Sequence, residues 1–276
     1  MKRKLQAYAL LMILPLLSAG VSYGEGEKPR IPEHHFQMGF VPFYLDYSEP
    51  EIDIDIDGIM YGAHGTYTYH KPDRLSIWVD LELALGELEY NGQTWSGVPI
   101  KEDSTDFLME LRGVVGYHLD KIAGFEVIPF GGIAYRYWND RIGGPGGYER
   151  EIGYLYSPLG LKTRTPLSIG WTWGFQVEFD LFLGGRVKSH LSDVNPGYND
   201  PEVDQDLLEG YGIRASLEFA GKLREDLGLS IEPFLRYWHI GTSNSSVLTF
   251  NGVPETRVVE PENKTKAFGL RLSLVF

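Results

Sequence analysis

From Ser168 to Leu183 the chain alternates without a break. Ile169, Trp171, Trp173, Phe175, Val177, Phe179, Leu181 and Leu183 fall on one side, and Gly170, Thr172, Gly174, Gln176, Glu178 and Asp180 on the other. Successive side chains of a β-strand point to opposite faces, so this period predicts a strand with one apolar and one polar face. Eight apolar positions in succession exceed what one strand of a soluble sandwich needs. A tilted strand crossing hydrocarbon needs about ten residues of this kind.

The same pattern recurs. Leu75, Ile77, Val79, Leu81, Leu83 and Leu85 oppose Asp80 and Glu82, and Phe107, Met109, Leu111, Val115 and Tyr117 oppose Glu110 and Arg112. Tyr211, Ile213, Ala215, Leu217 and Phe219 oppose Arg214 and Glu218, and Phe268, Leu270, Leu272, Leu274 and Phe276 oppose Arg271. Weaker alternation covers residues 36–47, 59–69, 125–138, 149–161 and 229–240. These segments predict an all-β chain: an antiparallel up-and-down transmembrane barrel of about ten strands, with eight or twelve as alternatives. Links near residues 70–74, 119–123, 162–167 and 221–226 read as short. Those near 48–58, 87–105, 139–148, 187–207 and 241–265 read as long, which puts both ends of the barrel on the short-link side. Pro129 and Pro233 each remove a ladder donor, which predicts a bulge or bend there.

Lys2, Arg3 and Lys4 precede an apolar run from Ala7 to Leu17, and Ser22 and Gly24 are small residues before Glu25. That is the layout of a secretory signal peptide over residues 1–24, and the run is short for a membrane anchor. Residues 25–35 then form an N-terminal periplasmic segment and 36–276 the barrel. The chain has no Cys, which excludes disulfides and thiolate chemistry. Its formal net charge is -13, and losing the three leader cations takes it to about -16. Such an acidic chain is unsuited to nucleic acid, whose phosphates demand Lys and Arg.

The leader, the absence of Cys, the amphipathic strands and the terminal Ala267–Phe276 alternation together resemble the small outer-membrane β-barrel proteins of Gram-negative bacteria. The resemblance implies residence in the bacterial outer membrane among lipid and lipopolysaccharide. It also implies recognition of the last strand, ending in Phe276, by the barrel-assembly machinery. It points to no subfamily.

The polar faces carry a candidate charge network inside the barrel: Asp80, Glu82, Glu110, Arg112, Glu126, Arg136, Glu178, Asp180, Arg214, Glu218, Glu232, Arg236 and Arg271. Small barrels fill their bores with side chains, and Arg–carboxylate pairs meet each other's desolvation needs. The expectation is a side-chain-filled lumen with a structural or surface-interaction role. A narrow cation-preferring channel is the alternative, since acids outnumber Arg. Glu51, Asp53, Asp55 and Asp57 alternate in the first long link and could hold Ca²⁺ or Mg²⁺ through oxygen ligands, or simply face solvent. His239 and Ser243 are the weak candidates for chemistry at the outer rim. The enzymes of comparable barrels are omptin-type proteases and lipid A deacylases, but neither motif is spelled out here, so the enzyme reading ranks below the non-enzymatic one. No cofactor motif occurs.

Overall fold

The computed structural model describes residues 34–71, 74–93, 97–167 and 170–276. The leader and most of the segment after it lie outside the described residues, as do Ser168 and Ile169. Among the described residues there are thirteen strands: β1 (His34–Glu49), β2 (Ile54–His70), β3 (Leu75–Gln93), β4 (Pro99–Tyr117), β5 (Glu126–Ile142), β6 (Glu149–Pro166), β7 (Trp171–Ser189), β8 (Glu202–Gln205), β9 (Gly210–Lys222), β10 (Gly228–Ile240), β11 (Ser246–Phe250), β12 (Val253–Val258) and β13 (Asn263–Val275). Ten of them form the wall, each antiparallel to its neighbours, in the order β1 to β7, β9, β10, β13. The wall closes where β1 meets β13, from Gln37 opposite Val275 to Ser48 opposite Lys264. Closure pairs both edge strands, which backbone in hydrocarbon requires. At the seam Phe276 and Phe36 exchange backbone hydrogen bonds of 2.8 and 3.1 Å.

The outward face carries the apolar belt. Ile77, Val79, Leu81, Leu83 and Leu85 are exposed, as are Phe175, Val177 and Phe179, and Leu272, Leu274 and Phe276. Surface apolar groups in such number suit lipid and not water. Tyr67 and Tyr117 stand exposed at the short-link edge and Tyr135 toward the other, where aromatic rings suit the interface.

Several expected links turn out to be strand. β1 and β2 stay paired up to Glu49 opposite Ile54, leaving a turn of four residues, and β3 and β4 pair up to Gln93 opposite Pro99. The strands therefore project well past the belt on the long-link side. β1 begins at His34, two residues before the expected boundary. The bulge expected at the prolines is elsewhere. Pro129 faces Leu161 and Pro233 faces Leu270 in regular register. The register slips instead between β6 and β7 at Leu155/Tyr156. Each proline occupies a position whose missing N–H the ladder tolerates.

In the projecting part the phase of the alternation reverses. Leu88 and Tyr90 point inward and are buried, whereas Leu81, Leu83 and Leu85 on the same strand point outward. Inside, Val41, Leu45, Tyr47, Ile56, Met60, Trp138, Tyr156, Phe182, Trp238 and Ile240 form a dry core. Above the belt water lies outside the wall, so burial favours apolar groups within it.

Candidate functional site

All thirteen residues of the expected network lie on the inward face, on strands that alternate as the sequence predicted. In the middle of the bore four arginines meet carboxylates. Arg214 donates to Glu110 at 2.6 and 3.0 Å, to Asp180 at 2.5 Å and to the Tyr156 hydroxyl at 2.9 Å. Arg112 donates to both oxygens of Glu178 at 2.7 and 2.6 Å. Arg236 clasps Glu82 at 2.6 and 2.7 Å, and Arg271 joins Glu82 to Glu232, each at 2.9 Å. Forked contacts of this length are the strong class of charge-assisted bond. The contacts to Glu178, Glu110 and Glu82 span 66 to 189 residues and join strands that are not neighbours, whereas Asp180 and Glu232 lie on the strands next to their arginines.

Two cavities border the network. One is lined by Glu110, Arg136, Arg236 and Trp238 and has a volume of about 10 Å³; the other, lined by Arg112, Gln176, Glu232 and Arg271, about 30 Å³. That is room for one or a few waters. Arg136 is buried, lies 5.9 Å from the Trp238 ring centre and has no carboxylate within 4 Å among the described residues.

Toward the short-link end, Lys162 meets Glu218 at 3.0 Å, and Ser230 donates to the same carboxylate at 3.2 Å. His118 contacts Glu126 at 2.5 Å and also Ser76, which in turn contacts His70 at 2.7 Å. Thr66 donates to Asp80 at 2.7 Å.

A second cluster, which the sequence reading missed, sits in the projecting part. Arg150 reaches Asp140 at 3.1 Å, Glu49 at 2.8 Å and Glu260 at 3.4 Å. The Tyr47 hydroxyl stands between Glu49 at 2.6 Å and Glu260 at 3.2 Å. All four charged groups are buried. Burial, with Glu49 alongside, pushes the Glu260 carboxyl up to about 8. Glu49, Asp140 and Glu260 fell in segments read as links. Arg150 shares the parity of Ile152 and Tyr154, and that was the signal available.

At the long-link end the loops pack on one another. β8 adds to β7. The β11–β12 hairpin rests on the segment after β7: Asn199 exchanges hydrogen bonds with Val247 and Thr249 at 3.2 and 2.6 Å, and Tyr198 packs edge-on against Phe250. Leu191, Val203 and Leu248 are buried beneath.

The rim candidates are placed as follows. The His239 Nδ1 lies 3.7 Å from Glu262 and its ring lies beside Tyr211. Ser243 is buried, donates to the Asn244 carbonyl at 2.7 Å and accepts from the Glu260 N–H at 2.8 Å. The structure thus gives each its own partners and does not bring the two together. Glu51 and Asp53 occupy the β1–β2 turn, and Asp55 and Asp57 follow on β2 opposite Ser48 and Asp46. Tyr44 donates to Asp57, and Lys266 pairs with Asp46 at 3.1 Å. Burial and the neighbouring Asp46, Asp53 and Asp57 raise the Asp55 carboxyl.

Comparison of the sequence with protein-family models and with curated proteins finds no match. Among solved structures, the outer membrane protease OmpT from Escherichia coli superposes with a TM-score of 0.62 at 10% identity, over 88% of this chain and 95% of that one. The translocator domain of the autotransporter NalP from Neisseria meningitidis gives 0.44 at 8% identity, over 90% and 89%. At 10% identity the likeness to OmpT speaks for the fold alone, the closed antiparallel β-barrel of that outer-membrane protein.

Proposed function

We propose that the chain is a plugged outer-membrane barrel with a structural or surface-interaction role. The cross-barrel lattice of Arg112, Arg214, Arg236 and Arg271 with Glu82, Glu110, Glu178, Asp180 and Glu232 carries this reading. An ion entering the bore would have to break several short forked bonds in a low-dielectric interior, each in a pair whose disruption costs several kcal/mol. The buried loops above add a second barrier. Contacts with other molecules then fall to the outer surface, among lipopolysaccharide headgroups, and assembly to the seam strand β13 ending at Phe276. The protease activity of OmpT does not carry over on the residues singled out for chemistry, because a base and a nucleophile must lie within hydrogen-bond reach of each other.

Planar-bilayer recording of the purified barrel tests the plug. The expected record is flat over a wide voltage range. Steady salt-dependent steps from the unaltered chain would overturn the reading and favour a narrow cation path.

A further inference from the structure

On the outer wall, past the apolar belt, β6 presents Glu149 and Glu151 on one face while Arg150 and Ile152 point inward. His190 follows β7 directly and is tied to the same place by its backbone N–H, which donates to the Glu149 carbonyl at 2.8 Å. The ligand-capable atoms of Glu149, Glu151 and His190 all lie within 4.8 Å of one another, and all three residues are half-buried. The His190 Nε2 is 2.7 Å from Glu151 Oε1. We propose that these three side chains form a binding site for a divalent transition metal of the zinc class.

The surroundings fit a metal in three respects. First, the ring is backed from its far side: His190 Nδ1 faces Asp200 Oδ2 at 3.5 Å, and Asp200 Oδ1 is held by the Ser192 N–H at 2.9 Å. A carboxylate behind a ligating imidazole fixes its orientation and raises its basicity. Second, each glutamate is steadied from outside the cluster. Tyr137 donates to Glu151 Oε2 at 3.0 Å, which leaves Oε1 turned to the imidazole, and Asn139 donates to Glu149 Oε1 at 2.8 Å. A carboxylate has about four lone-pair sites, so these bonds leave room for a metal. Third, the charge is unbalanced. Asp193 and Asp200 join the two glutamates, while Arg141, 3.2 Å from Glu149, and Lys188, opposite Glu151 in the ladder, are the nearby cations. With a neutral imidazole that leaves two negative charges, which one divalent ion cancels.

One imidazole with two carboxylates favours zinc, cobalt, nickel or copper over the oxygen-seeking Ca²⁺ and Mg²⁺. Three protein ligands also leave a tetrahedral ion one position open to an outside donor. Because Glu149 and Glu151 belong to the wall and His190 to the loop, the ion would pin that loop to the barrel.

The test uses the whole barrel in detergent, stripped with a chelator and titrated with Co²⁺ by visible absorption and with Zn²⁺ by calorimetry. A single site with the intense bands of tetrahedral cobalt is expected. H190A and E151Q should each weaken binding by tenfold or more, and D200N by about ten- to a hundredfold. H239A should bind as the unaltered chain does, and the heat-dependent gel shift should show every variant folded. Absence of Co²⁺ and Zn²⁺ binding, or unaltered affinity in folded H190A, would overturn the proposal. So would a site that prefers Ca²⁺ and survives H190A. None of these outcomes bears on the plug, which is read from conductance.

Discussion

Arg214 is the residue whose removal tests most directly what holds the bore closed. Its guanidinium binds Glu110 through two bonds, Asp180 through one and the Tyr156 hydroxyl through another, and lies 5.7 Å from the Trp238 ring centre. Replacing it with Met keeps the length of the apolar stem and deletes only the charge and its donors. Glu110 and Asp180 then stay buried with one cation fewer. Breaking a buried pair by removing one partner costs about 3–5 kcal/mol, because the group left behind keeps its desolvation penalty. R214M should therefore shift the folding constant by roughly a hundredfold or more, at about 1.4 kcal/mol for each factor of ten. The assay is urea-driven unfolding from lipid vesicles followed by tryptophan fluorescence. The comparison variant is R186A, whose arginine is 62% exposed beside Glu202 and Asp204 and should cost about 0–1 kcal/mol. In R214M/E110Q/D180N the stranded charges are gone, so much of the loss should return. A cost for R214M no larger than that for R186A would refute the reasoning, and so would a triple variant less stable than R214M. Either result would mean that the lattice is solvated and the bore wet.

Two further outcomes follow from the charges above the belt. Glu260, at about 8 in the folded chain and so well above the ordinary glutamate range, takes up a proton on folding. Its contribution is full below about pH 4.5 and is lost as pH rises through 8, so protection factors against hydrogen exchange in the β12–β13 link, taken relative to the intrinsic rate at each pH, should be lower at pH 9 than at pH 6. E260Q should flatten that dependence, and an equally steep profile in E260Q would remove Glu260 as the cause. Asp55 and Asp57 crowd Asp46 on the outer wall, so millimolar Ca²⁺ should raise the melting temperature, and D55N/D57N should abolish the rise. An equal rise in the double variant would assign the effect elsewhere.

Most of the wall was legible in the sequence, because alternation in hydrocarbon is nearly binary. Ile77 to Leu85 and Phe268 to Phe276 could take only one facing, and the register bears it out. The inward charges were legible for the same reason. Their partners were not. Which carboxylate Arg112 or Arg271 would meet depends on how a closed wall brings positions 66 to 189 residues apart into range, and no local pattern carries that. The Glu149, Glu151 and His190 group was hidden likewise, since His190 comes to Glu149 only through the pairing of β6 with β7.

The outer extensions were hidden in the sequence for a different reason. In the chain Ile54–Asp55–Ile56–Asp57 the isoleucines point inward, whereas two residues later Ile59 and Tyr61 point outward and are exposed. The phase flips across Gly58. On β3 it flips between Leu85, outward and exposed, and Leu88, inward and buried. A strand that leaves lipid for water must make this exchange, because the solvent on its outer side changes from apolar to polar while its inner side stays enclosed. Read as one continuous pattern, the flip looks like the end of a strand; read as a change of solvent, it marks the edge of the bilayer. On β6 the same change separates Leu155, exposed to lipid, from Glu151, which has Tyr137 and His190 as partners. The polar cluster on the outer wall therefore begins where the lipid chains stop. Glu149, Glu151 and His190 lie half-buried on the outer wall, past the exposed apolar belt.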